Sequence, residues 1–150
     1  MTQPRQPCTF YSRMKFIDEG GESTIFEAGS DNFVPLLPTT FHDHEEGTPC
    51  NVAAFVHDAD GQMWASISPF LGYQQLQGLK YQCRSDFSRA YEVIQDLETH
   101  WIRLDKVLGK CYVIMCSREE FIRLKRKKQL PRGLCYFVRD TLNSMQKKAS

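Results

Sequence analysis

The rhythm of apolar and polar positions changes twice along this chain. Residues 8–17 (CTFYSRMKFI) are aromatic and β-forming and predict a strand, Asp18-Glu19-Gly20-Gly21 supplies turn chemistry, and residues 24–28 (TIFEA) return as a second strand. Residues 29–40 hold Pro35 and Pro38 and read as loop, and residues 41–50 (FHDHEEGTPC) read as an exposed polar loop. Two apolar runs, near 51–57 and 62–69, flank Asp60-Gly61 and predict a hairpin. Residues 72–82 carry Gln and Gly and no clear period.

From Ser85 onward the period lengthens. Phe87, Ala90, Ile94, Leu97, Trp101, Leu104 and Leu108 recur at spacings of three and four, which predicts one long amphipathic helix with Gly109 as its C-cap. The same spacing obeys a heptad, so the stripe over 87–108 could also serve as a homodimer seam. Residues 110–116 (KCYVIMC) suit a buried strand. Ser117 with Glu120 forms a capping box that opens a further helix running to about Gln129, stopped by Pro131. Residues 133–138 suit a last strand, while Val138, Leu142 and Met145 suit a frayed helix instead. Strands first and helices later predict an α+β domain: a mostly antiparallel sheet of about four to six strands, with the long helix and one or two shorter ones on one face.

Composition changes this picture little. A chain of 150 residues with 41% hydrophobic and 25% charged residues suits one globular domain spanning 1–150, large enough to fold without staples. Its polar first ten residues do not resemble a secretory signal, and no run of roughly 18 apolar residues predicts a membrane helix, so a cytoplasmic setting with reduced cysteines is expected.

Charge changes it more. Residues 16–79, the β-rich part, hold ten acids and not one Lys or Arg, whereas residues 80–150 hold sixteen bases against eight acids, for a total of only +1. Such asymmetry bears on partners rather than on fold. The parts can neutralise each other within the domain, the acidic part can meet a basic partner, or the basic part can meet nucleic acid.

Three sets of residues could carry chemistry. The acidic set Asp43, Glu45, Glu46, Asp58 and Asp60 would dock a protein with a basic surface, with a salt-sensitive association rate. Small inhibitors encoded by phages or mobile elements block nucleic-acid-handling complexes in this way as a class. A non-enzymatic interaction protein of that kind is the leading expectation. The basic set Arg123, Lys125, Arg126, Lys127, Lys128 and Arg132, within the 118–132 segment, would neutralise phosphates, with Tyr136 and Phe137 near enough in sequence to stack on bases. The third set, His42, His44, Cys50 and His57, has the ligand types zinc uses and could serve a metal-dependent hydrolase, but it matches none of the established zinc spacings. Cys50 could also act as a nucleophile beside those histidines, although its acidic surroundings disfavour a thiolate. Asp58-Ala59-Asp60-Gly61 lacks the remaining ligands of a calcium loop, and no phosphate-binding glycine motif is present. No other cofactor is implied.

Overall fold

The computed structural model describes residues 3–17, 20–28, 34–36, 48–104 and 111–148. It is mostly β. Ten strands occur among the described residues: β1 (Thr9–Tyr11), β2 (Arg13–Ile17), β3 (Ser23–Glu27), β4 (Val34–Leu36), β5 (Cys50–His57), β6 (Met63–Leu71), β7 (Glu92–Gln95), β8 (His100–Arg103), β9 (Cys111–Met115) and β10 (Leu134–Thr141). Among the described residues the α-helices are α1 (Tyr73–Gly78) and α2 (Arg118–Arg126), and a 3-10 turn covers Leu142–Ser144.

The two early hairpins form where turn chemistry places them. β2 and β3 pair antiparallel, Arg13 opposite Glu27 and Ile17 opposite Ser23, with Gly21 in the left-handed region between them. β5 and β6 pair from Cys50 opposite Pro69 to His57 opposite Met63, and Gly61 supplies the positive φ of their turn. β6 is the hinge of the larger sheet. One edge pairs with β5, and the other pairs with β8 through Trp64–Ile67 and with β7 through Phe70–Leu71. Its residues from Ile67 to Leu71 are all buried, as befits a strand covered on both faces. The eight-stranded sheet runs β1-β5-β6-β7-β10-β9-β4, with β8 branching from β6. β4 comes back against β5, so the sheet curls toward closure. β6 feeds three apolar clusters: Ala65 and Ile67 join Phe26, Val52 and Phe55; Phe70 joins Val93, Val113 and Val138; Leu71 joins Leu76 and Ile94.

The expected α+β architecture is therefore overturned. No helix spans 87–108; β7 and β8 lie there instead. The helical stripe fails as a guide to burial. Leu97, which lies on it, is 54% exposed, while Val93 and Ile102, which lie off it, are buried. Val93-Ile94 and Trp101-Ile102 are β-branched or aromatic pairs that strand pairing rewards, β7 lying between β6 and β10 and β8 pairing with β6. The homodimer seam goes with the helix. Nor is the basic part helix-rich, since its described residues hold one α-helix, of nine residues, and a 3-10 turn at Leu142–Ser144.

That helix has a topological cause. β9 and β10 are parallel neighbours, Leu134 opposite Cys111 through Val138 opposite Met115, and a parallel pair needs a crossover. α2 supplies it. Ser117 Oγ accepts the Glu120 N–H at 3.1 Å, capping the start. Phe121, 2% exposed, anchors α2 to the sheet with its ring 4.9 Å from that of Phe137. The chain then continues as β10 through 134–141, so Val138 is a strand residue and the alternative of a frayed terminal helix is not taken. No helix among the described residues is long and apolar enough to cross a membrane.

Candidate functional site

The charged residues of the described structure divide into those with partners and those without. Asp58, 5% exposed, is fully engaged. Its carboxylate accepts the N–H groups of Asp60 and Gln62, each at 2.9 Å, the Arg5 N–H at 3.2 Å and the Trp64 indole N–H at 3.0 Å. Burial pushes its pKa up, but those donors together outweigh burial and hold it below the usual carboxylate value. Asp58 thus builds the β5–β6 turn and offers nothing to a partner. Asp60 faces Arg5 at 3.5 Å. The other three members of the acidic set, Asp43, Glu45 and Glu46, lie outside the described residues.

A second satisfied network fixes β7 to β10. Glu92, 1% exposed, receives Arg139 Nε at 2.7 Å and Arg139 Nη2 at 3.0 Å, and Arg139 also holds Asp86 at 2.8 Å. Arg84 and Asp140 form a two-point pair at 2.7 and 2.9 Å. Hydrogen bonds from these guanidinium groups lower the pKa of Asp86 and of Asp140.

The basic segment is different. Arg123 pairs with Glu120, but Arg118, Lys125, Arg126, Lys127, Lys128 and Arg132 make no salt bridge among the described residues. Arg118, Phe121, Ile122, Lys125 and Arg126 follow the i, i+3, i+4, i+7, i+8 spacing of a single helix face. That face carries Phe121 inward and places cations at both ends of the stripe. With residues 87–91 and Phe137 it lines an open groove of about 670 Å³. Arg89, Arg118, Lys125 and Arg126 contribute the charge, Phe87 and Tyr91 contribute aromatic wall, and no lining residue is acidic. The Lys125 ammonium stands 3.6 Å from the Tyr91 ring centroid and donates to its hydroxyl. Deeper in, Arg118 Nε is buried with no hydrogen-bond partner among the described residues. Lys127, Lys128 and Arg132 are exposed and follow α2 in sequence as a basic ridge, with Lys127 near enough to Glu120 to help lower its pKa.

No protein-family model matches this sequence, and no curated protein matches it. Among solved structures, the yeast Rsc2 BAH domain is similar over 90% of this chain, with a TM-score of 0.49 and 14% identity. The chain spans about half of that one, 53% of its length. A likeness that loose says nothing of what this chain binds.

The metal set is not assembled among the described residues. His42 and His44 lie outside them. Cys50 is wholly buried in the β5–β6 core, its thiol donating to the Thr48 carbonyl at 3.2 Å, so it is closed to a substrate as nucleophile. His57 ends β5 beside the turn. Burial pushes the Cys111 thiol up to about 12 and raises those of Cys83, Cys116 and Cys135 as well, the reverse of what a reactive thiolate requires. Asp96, Glu98 and His100 do bring ligand atoms within 4.8 Å of one another, but Asp96 already accepts the Glu98 N–H at 3.0 Å in the turn between β7 and β8.

Of the basic set, Lys125 and Arg126 reach the groove, Lys127, Lys128 and Arg132 stay on the ridge, and Arg123 is spent on Glu120. Phe137 is core, 1% exposed, and Tyr136 packs against the Phe70 cluster, so neither is a stacking platform. Sequence reasoning missed Phe87, Arg89 and Tyr91 as site residues. They reach α2 only because β7 pairs with β10, and no local signal carries that. Arg118 was legible in principle, as a cation on the same helical stripe as Phe121.

Proposed function

We propose that this chain is a non-enzymatic binding module whose cationic face, α2 with residues 87–91 and the ridge to Arg132, binds the phosphate backbone of a nucleic acid. One observation carries the reading: a concave groove lined by four cations and no acid, continued by a ridge of three more cations that make no ion pair among the described residues. A solvated face usually mixes signs, and unopposed cations gathered on one side are the electrostatic footprint of a polyanion partner. The helix dipole accounts for cations in the last turn of α2, but not for Arg89 or for Arg118 at the first helical position.

The acidic-face reading now rests on Asp43, Glu45 and Glu46 alone, because Asp58 is engaged inside a turn and Asp60 faces Arg5. The nucleic-acid reading has the more complete site.

The test is titration of the intact protein with labelled single- and double-stranded DNA and RNA at low and physiological salt. Binding should fall steeply with salt, and Lys127→Ala with Lys128→Ala should flatten the log–log salt slope by about 1 for each phosphate no longer neutralised. Absence of binding to every one of these at low salt would end the reading.

A further inference from the structure

The groove narrows the kind of nucleic acid. We propose that it seats one phosphate of a single strand, with Arg118 as the central anion ligand, Arg89 and Arg126 at its sides, and the adjoining base laid against Tyr91. The proposal rests on the nucleic-acid reading and deepens it.

Arg118 is placed at a double disadvantage in the free protein. It is a cation at the positive end of a helix, and its Nε is buried without an acceptor among the described residues. A buried donor left unmade costs free energy, and on a charged group it costs more. Packing alone does not explain such a residue, since an uncharged side chain of similar length would fill the same space without that penalty. A bound anion removes both disadvantages at once, because a phosphate oxygen accepts from the guanidinium and offsets the dipole.

Single strand is favoured over duplex by where the cations face. Arg118 and Lys125 share the helix face of Phe121, and Phe121 is turned into the sheet against Phe137. That face cannot lie in a major groove, whereas a flexible strand can bend a phosphate into a recess. Tyr91 stands at the edge of the recess, 37% exposed, and offers a ring to an unstacked base once Lys125 swings from it to a phosphate.

An acidic peptide would meet the same charge, but its main chain brings an N–H with nearly every residue. Among the groove's lining side chains only Ser88 and Tyr91 offer oxygen acceptors, and the Tyr91 hydroxyl already takes Lys125. A DNA backbone brings charge and acceptors and no donors, which suits a wall made of donors.

The experiment compares binding of labelled oligothymidylate of about ten nucleotides, its duplex with oligoadenylate, and poly-glutamate as competitor, with Arg118→Gln, Arg118→Lys and Tyr91→Leu measured beside the parent protein. Oligothymidylate should bind more tightly than duplex. Arg118→Gln should weaken it about tenfold, with partial recovery in Arg118→Lys and a smaller loss in Tyr91→Leu. Thermal melting of Arg118→Gln should match or exceed the parent, because the buried Nε donor that lacks an acceptor has been removed; that readout separates ligand loss from misfolding. Oligothymidylate affinity unchanged in Arg118→Gln, while Lys127→Ala and Lys128→Ala weaken it, would overturn the groove and leave the nucleic-acid reading standing on the ridge. Duplex binding equal to or tighter than single strand, or poly-glutamate displacing the oligonucleotide at equal charge concentration, would overturn the single-strand assignment. No nucleic acid bound at all would remove both readings together.

Discussion

The β5–β6 turn and the α2 groove treat charge in opposite ways. In the turn one buried carboxylate takes four donors, and the neighbouring Asp60 meets Arg5. Glu92 with Arg139 repeats the pattern between β7 and β10. In the groove four cations converge with no acid, and one of them buries an unsatisfied donor. Arg5 with Asp60, Arg84 with Asp140 and Arg139 with Glu92 each join segments distant in sequence, so these paired charges help to specify the fold. The groove cations have no acid beside them: Arg89 lies 4.2 Å over the Tyr73 ring and Lys125 contacts Tyr91, so their partners are aromatic and leave the positive charge unneutralised.

The largest effect is expected at Arg139. Arg139→Ala leaves the wholly buried Glu92 carboxylate without its counterion and should cost about 3–5 kcal/mol in denaturant unfolding. Glu92→Gln together with Arg139→Met should recover much of that, because the orphan charge is gone. If the single change costs no more than a surface substitution, the paired network does not hold the fold.

Phe121→Ala comes next. It removes the ring that anchors α2 and should cost roughly 3 kcal/mol while opening the groove floor. A loss of binding here would not by itself separate site from fold, so the melting curve must be read with it.

Acid should act on the satisfied region first. The pKa of Asp58, Asp86 and Asp140 is lowered in the folded protein. Such a group stabilises the fold fully above its unfolded pKa of about 4, and that contribution is lost as pH falls through the lower folded value. Melting temperature should therefore hold steady above about pH 5 and drop below about pH 4. Asp58→Asn should melt lower than the parent at neutral pH and show a shallower acid drop. A parent protein whose stability is flat down to about pH 2 would contradict the hydrogen-bond account of the turn.

The smallest effect is expected from the ridge. Lys127→Ala with Lys128→Ala should change stability by no more than about 0.5 kcal/mol, while changing the salt dependence of any polyanion binding. A large stability change would mean that these cations have structural partners after all.

Local chemistry was legible in the sequence and long-range pairing was not. The 58–61 turn, the β2–β3 hairpin and the Ser117 cap each depend on residues a few positions apart, and each was found where the residue types placed it. The 87–108 stripe misled because a spacing of three and four also fits two short strands with a turn between them. What decides between the readings is the β6 and β10 edges that β7 and β8 pair with, and these come from elsewhere in the chain. The parallel β9–β10 pair was likewise invisible, although the strand, helix, strand order around Ser117 is what a crossover requires. The site was half legible: the cation cluster at 123–128 stands out by composition, whereas Arg89 and Tyr91 join it only through β7–β10 pairing. Asp58 shows the converse, a residue chosen for its charge that the fold spends on its own backbone.

The groove cations, and Arg118 above all, have no acid beside them and suit an anion. The most direct measurement follows the side-chain Nε–H resonance of Arg118 in a ¹H–¹⁵N correlation spectrum as oligothymidylate is added. This resonance should shift in step with binding and with the onset of slower hydrogen exchange, as an unmade hydrogen bond becomes made. An Arg118 resonance that stays fixed while the oligonucleotide saturates the protein would contradict an anion-binding role for Arg118.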